Sequence, residues 1–208
     1  MLTDNSLPAR NIMNKAKLVT SLCALSILLS GNLYANYHEK QEKSGFTHIS
    51  GANFSKENAV TISRSGSFEI DIAPDKALPL FTGPGERLWV PGWDPVILSG
   101  DGFEPDTVFL TEHGGKTTYW QVLNYDKQTR HARYHRINPD SDTGTVDVLL
   151  KANGKGGSTV HVTYKLTALT PMGNKKLLRH YDQTSYAKMM VEWRDLIVAH
   201  MDKISQHL

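Results

Sequence analysis

Ser158-Thr159-Val160-His161-Val162-Thr163-Tyr164-Lys165-Leu166-Thr167-Ala168-Leu169 alternates apolar with polar residues, and after Pro171-Met172-Gly173 the apolar residues recur at every third or fourth position. The first pattern is that of a strand buried on one face, and the second that of an amphipathic helix. Val160, Val162, Tyr164, Leu166 and Ala168 share the buried side of the strand, while His161, Thr163, Lys165 and Thr167 face water. In the helix, Leu178, Tyr181, Ser185, Met189, Trp193, Ile197, His200 and Ile204 make one face, widened by Tyr186, Met190, Leu196 and Met201. At about 1.5 Å per residue such a helix is long enough to cross a small sheet. The end of the chain therefore predicts a last strand followed by one long helix lying across the sheet.

Upstream of that strand, further strand signals run from Thr107 to Glu112, Thr117 to Tyr125, His131 to Asn138 and Thr143 to Lys151. His113-Gly114-Gly115-Lys116 and Asn153-Gly154-Lys155-Gly156-Gly157 supply the residues that hairpin turns favour, so the strands predict an antiparallel meander. Val146, Val148 and Leu150 share one side. Earlier still, Val60, Ile62, Phe68, Ile70 and Ile72 alternate with polar neighbours, with a bulge expected at Gly66 and a stop at Pro74. Asp75 to Phe81 predicts a short helix, Gly83-Pro84-Gly85 breaks it, and Glu86 to Val90 forms one further turn. A strand, two short helices, an antiparallel sheet and a long terminal helix together predict an α+β layer pair.

Leu80-Phe81-Thr82-Gly83-Pro84-Gly85-Glu86-Arg87-Leu88-Trp89-Val90-Pro91-Gly92-Trp93-Asp94-Pro95, together with Thr118-Tyr119-Trp120, Tyr164 to Leu169 and the helix around Trp193, resembles the START-like, or SRPBCC, superfamily. The resemblance covers about Ala59 to Lys203 and is similar to an exported bacterial subgroup. It implies a helix-grip fold, in which a curved antiparallel sheet wraps around the C-terminal helix and encloses a cavity for a hydrophobic ligand such as a lipid, sterol, polyketide or hormone. Some members are cyclases or aromatase-like enzymes and others carry or sense a ligand, a choice that fold alone does not make.

The N-terminus predicts export. Met13-Asn14-Lys15-Ala16-Lys17 is a short positive region, Leu18 to Leu29 is mostly apolar, and Leu33-Tyr34-Ala35 suits a cleavage site. The apolar run falls short of the roughly 20 residues that a spanning helix needs, so it reads as a signal and not an anchor, and no stable membrane insertion of the mature chain is expected. Met13 offers an alternative start. The expected organisation is a signal at residues 1–35, a polar, flexible lead-in at 36–58 and a START-like domain at 59–208, placed in the periplasm or outside the cell.

Removing 35 of the 208 residues leaves 173, enough for one domain with a genuine core. Cys23, the only cysteine, leaves with the signal, so no disulfide remains. Arg10, Lys15, Lys17 and Asp4 leave too, and the 23 basic and 21 acidic side chains become 20 and 20. A neutral chain lacks the basic excess that tracks a phosphate backbone, which excludes nucleic acid as the expected partner.

The candidate ligand-binding residues are aromatic and flexible apolar side chains suited to a pocket. Trp89 and Trp93 are expected at its mouth, with Trp120, Tyr134, Tyr164, Met189 and Trp193 facing inward. Glu86 and Arg87 form a charged pair placed to hold a polar head group. His131 and His135 flank Arg133 on one strand face, and an intervening cation disfavours a metal. The glycine runs join strand to strand and so lack the geometry of a phosphate loop. No cofactor or metal is expected, and no catalytic residue is assigned; Arg136, His135, Tyr134, Tyr164 and Asn124 are the ionisable or polar groups an enzyme could use, according to which strand face is inward. The leading expectation is binding of a small hydrophobic or lipid-like molecule. The alternatives are a polyketide cyclase or dehydrase type of enzyme, and a protein-interaction module that uses the Trp89 and Trp93 loop.

Overall fold

The computed structural model describes residues 54–208; the expected signal and most of the expected lead-in lie outside the described residues. Seven antiparallel strands are present among them: β1 (Thr61–Ile70), β2 (Val96–Ser99), β3 (Val108–His113), β4 (Lys116–Asp126), β5 (His131–Asn138), β6 (Asp142–Ala152) and β7 (Ser158–Ala168). They form a single sheet in the order β1-β7-β6-β5-β4-β3-β2. The meander and the burial parity expected for β6 and β7 are both present, with Val146, Val148, Leu150, Val160, Val162, Tyr164, Leu166 and Ala168 buried. β2 is an addition to the expected set. Its four residues are mostly exposed, so it has no alternation to reveal it.

Gly66 does not bulge. β1 pairs with β7 in unbroken register through Ser65↔Thr163, Gly66↔Val162 and Ser67↔His161. The glycine answers to close packing instead: a Cβ there would stand 2.7 Å from Met190 Cγ and 3.1 Å from Tyr186 Cε1. Irregular pairing falls elsewhere, between Val122 and Asn124 in β4 and between Ile97 and Ser99 in β2, where it adds twist to the far half of the sheet.

After β1 come α1 (Pro74–Ala77), a 3-10 turn (Leu78–Phe81) and α2 (Gly83–Glu86). The expected single C-terminal helix is instead three segments, α3 (Pro171–His180), α4 (Gln183–Ala199) and α5 (Met201–Ser205). The first break has a local cause. Asp182 adopts an extended conformation and its side chain accepts from the Thr184 and Ser185 amides at 2.9 and 3.1 Å, capping a new helix. The second break is at His200, which leaves helical geometry. α3 and α4 therefore do not share one continuous apolar face. Leu178, expected on the apolar face, is 62% exposed, and Leu177 is buried in its place.

α4 lies chiefly against β1, with Tyr186, Met190 and Ile197 buried beneath it. The Tyr186 hydroxyl donates to the Val162 carbonyl at 2.9 Å, fixing the helix over the sheet. Packed contacts also begin ahead of Ala59. Phe54 rests on the core, and the Asn174 side chain donates to Asn58 O at 2.7 Å and accepts from Val60 N at 2.8 Å. Gly66→Val is expected to destabilise the fold by about 1–3 kcal/mol through overpacking against Met190 and Tyr186, measured by urea denaturation.

Candidate functional site

Register places two rows of inward side chains side by side on the sheet. Phe109, Trp120 and Arg136 are direct partners across β3, β4 and β5. Val122, Tyr134, Val146 and Tyr164 are direct partners across β4 to β7. Above them, Thr82 caps α2: its hydroxyl donates to Pro79 O at 2.7 Å and accepts from Gly85 N at 3.1 Å. Any Cβ at Gly85 would meet Pro79 O at 1.8 Å, so only glycine allows the turn that carries Glu86 over the sheet.

Between these layers lies a cavity of about 190 Å³. Phe109, Trp120, Arg136, Tyr134, Val146 and Tyr164 line it from the sheet, with Val148 beside them. Phe81, Gly83, Glu86, Val90 and Trp93 close it from the segment after β1, and Trp193 from α4. Its apolar end is aromatic: Trp120 stacks on Phe109 at 5.9 Å and meets Trp93 edge-on at 5.9 Å. The two indole N–H groups are already used, Trp93 Nε1 donating to Gly83 O at 2.8 Å and Trp120 Nε1 to Thr111 Oγ1 at 3.0 Å. Those bonds hold the rings in place.

The other end is charged. Arg136 is 7% exposed; its Nη2 donates to Asp142 Oδ1 at 2.6 Å and its Nη1 to the Tyr181 hydroxyl at 3.2 Å. Its guanidinium lies 5.7 Å from the Trp120 ring centroid. Asp142, fully buried, also accepts from Ser141 Oγ at 2.6 Å and Lys176 Nζ at 3.1 Å. Burial opposes the Asp142 charge, but Arg136 and Lys176 outweigh it and hold the carboxyl below its ordinary pKa. Glu86 is different. It makes no hydrogen bond or ion pair among the described residues, and burial pushes its pKa up to about 8. Burial likewise raises the Tyr134 and Tyr164 phenols, with the Glu86 charge adding to both. The Tyr134 hydroxyl donates to Phe81 O at 2.9 Å.

Solved structures share the fold that frames this cavity. Norcoclaurine synthase from Thalictrum flavum superimposes with a TM-score of 0.53 at 16% identity, over 74% of this chain and 95% of that one. The major latex-like protein 151 of Panax ginseng gives a TM-score of 0.53 at 14% identity, over 68% of this chain and 97% of its own. The same synthase solved with dopamine and hydroxybenzaldehyde gives a TM-score of 0.52 at 15% identity, over 76% and 98% of the two chains. No protein-family model matches the chain, and no curated protein matches it. The chain shares their helix-grip fold.

Within the helix grip, the structure brings Glu86, Trp93, Trp120, Tyr134, Tyr164 and Trp193 together around the cavity. It does not bring Trp89, Arg87 or Met189 to the lining. Trp89, expected at the mouth, is 1% exposed; its Nε1 donates to Leu80 O at 2.7 Å and its ring meets Trp193 edge-on, so it supports the lining from behind. Arg87 turns outward, donating to Asp94 Oδ1 and Pro95 O at 2.7 Å each. Met189 packs on the core. His131 and His135 sit on the outer face, beside Asp147 and Thr143. Among the described residues no three His, Cys, Asp or Glu side chains converge as metal ligands.

Phe81, Phe109 and Val148 in the lining, and Asp142 and Lys176 in the charged cluster, are not among the residues expected from sequence. Parity with Tyr134 was the available signal for Arg136, because alternate residues of one strand share a face. Nothing local marks Lys176, which reaches Asp142 from a helix 34 residues later.

Two outcomes follow from the charges. Asp142→Asn removes the anion shared by Arg136 and Lys176, and is expected to cost about 3–5 kcal/mol in chemical denaturation. Glu86 is neutral in the folded protein up to about pH 8 but ionises near its ordinary value of 4.5 when unfolded. Stability therefore falls as pH rises through that window, because the folded state holds the extra proton. Glu86→Gln should be nearly neutral at pH 5 and stabilising by about 1–3 kcal/mol at pH 9, read from melting curves at both pH values.

Proposed function

We propose that the mature domain is exported and binds a small, largely apolar molecule of about the size of one or two rings in the cavity between sheet and helices. The aromatic-lined cavity carries this reading. Pockets for drug-sized ligands run to about 300–1,000 Å³, and apolar cavities near 150 Å³ take benzene. At about 190 Å³ the space suits a ring with a short substituent and is too small for a whole sterol or diacyl lipid. The two aromatic molecules held by the Thalictrum synthase crystal structure are of that size and support the choice. A cleavable signal in the first 35 residues supports export.

The interaction-module reading required exposed tryptophans at positions 89 and 93 and a filled interior. Trp89 is buried, Trp93 is only partly exposed and bonded to Gly83 O, and the interior is open, so the observations favour a ligand. An enzymatic reading draws support from Glu86 alone, a carboxyl with no partner and a pKa near 8 in the cavity, as a general acid or base requires. In that case Glu86→Gln abolishes turnover of a bound substrate while leaving its affinity within about threefold.

Native mass spectrometry of the protein recovered from its own cell envelope tests the binding reading. A co-purifying molecule of one or two rings is expected, lost in Val148→Phe, whose larger side chain fills the cavity. Absence of any such molecule, together with no thermal shift from ring-sized apolar compounds, would overturn it.

A further inference from the structure

The charged end of the cavity is unbalanced. Two cations, Arg136 and Lys176, lean on one carboxylate, Asp142, which is fully buried. Glu86, on the roof of the same cavity, does not balance them. It forms no ion pair with Arg136, and it keeps its proton at neutral pH because burial, without help from a neighbouring cation, governs it. The cluster thus carries one more positive than negative charge, and its Arg136 lines the aromatic space. Arg136 also has a donor left over: Nη1 and Nη2 are bonded, but Nε is buried and has no hydrogen-bond partner. A buried unpaired donor on a charged group is costly, and in a native site it marks where a further acceptor belongs.

We infer that the ligand is a ring-sized monocarboxylate whose carboxylate seats on Arg136 Nε, with its ring against Trp120 and Phe109. A carboxylate supplies at one point both the missing acceptor and the missing negative charge, and guanidinium groups are suited to carboxylates by geometry. The ring position follows from the same register. Phe109, Trp120 and Arg136 are consecutive partners on one cross-strand row, so a flat apolar group attached to a carboxylate on Arg136 runs along the stacked rings. Elsewhere in the same lining, the protonated Glu86 carboxyl is a donor for a second, uncharged polar substituent.

This inference rests on the cavity being a ligand site, and three probes separate the two claims: phenylacetate, its neutral amide phenylacetamide, and ethylbenzene. Each is titrated into the full mature protein by calorimetry, with the Arg136 Nε–H resonance followed by NMR. Phenylacetate is expected to bind at least tenfold more tightly than either neutral probe and to shift the Arg136 Nε–H signal. Arg136→Lys keeps the charge but loses the Nε donor, and it should reduce that preference to within about twofold while ethylbenzene binding persists. If the variant does not fold, the wild-type Nε–H shift decides. Equal binding of all three probes with an unmoved Nε–H would overturn the carboxylate assignment and leave the cavity reading standing. No binding of any probe at millimolar concentration would overturn both.

Discussion

The close approach of α4 to β1 governs the rest of the structure. At Gly66 the strand offers no side chain, so Tyr186 and Met190 descend onto the backbone and the Tyr186 hydroxyl reaches Val162 O. That contact seals one edge of the helix grip. Farther along α4, Trp193 faces the sheet residues Trp120, Tyr134 and Tyr164 across open space, and the pairing in β4 and β2 is irregular. The gap is partly roofed by the segment after β1, with Trp89 packed against Phe81 and Trp193. What remains unfilled is the cavity. Apolar burial drives the seal, at about 25 cal/mol per Å² of surface removed from water, but chain geometry decides where the packing stops.

The polar groups at this gap fall where a core alone would not place them. Burying an ion cluster such as Arg136, Asp142 and Lys176 contributes little net stability compared with an apolar replacement, because desolvation offsets most of the attraction. Glu86 contributes less still, since it has no partner to offset its burial. Arg136 and Glu86, which line the open space at a cost in stability, mark it as a candidate functional site. The same reasoning separates Glu86 from its neighbour Arg87, whose guanidinium is satisfied at the surface by Asp94 and Pro95.

Much of the architecture was legible in the sequence, because it depends on periodicity. The parity of Val160 to Ala168 in β7 and of Val146 to Leu150 in β6, and the change to a helical period after Pro171, report burial directly. The misreadings fall where tertiary contact outweighs local pattern. Gly66 looks like a bulge in isolation and is a packing glycine in context. Asp182 sits in a continuous helical pattern yet caps a new helix, and that single cap moved Leu178 from the core to the surface. In the site, six of the nine expected residues meet at the cavity, since aromatic residues at inward parity have few other places to go. Trp89 went astray because its hydrogen bond to Leu80 O is set by the fold of the 3-10 turn, which no spacing rule conveys. Lys176 was invisible for a similar reason: its partner Asp142 lies 34 residues away.

Seating α4 at Gly66 leaves an open cavity with an aromatic end beside Trp193. Diffraction from xenon-pressurised crystals tests it most directly, since xenon enters apolar cavities of this size without needing polar recognition. The expected result is a xenon site bounded by Trp120, Tyr164 and Trp193, with those side chains unmoved. A crystal in which no xenon enters and Trp193 has rotated to fill the space against the sheet would contradict it.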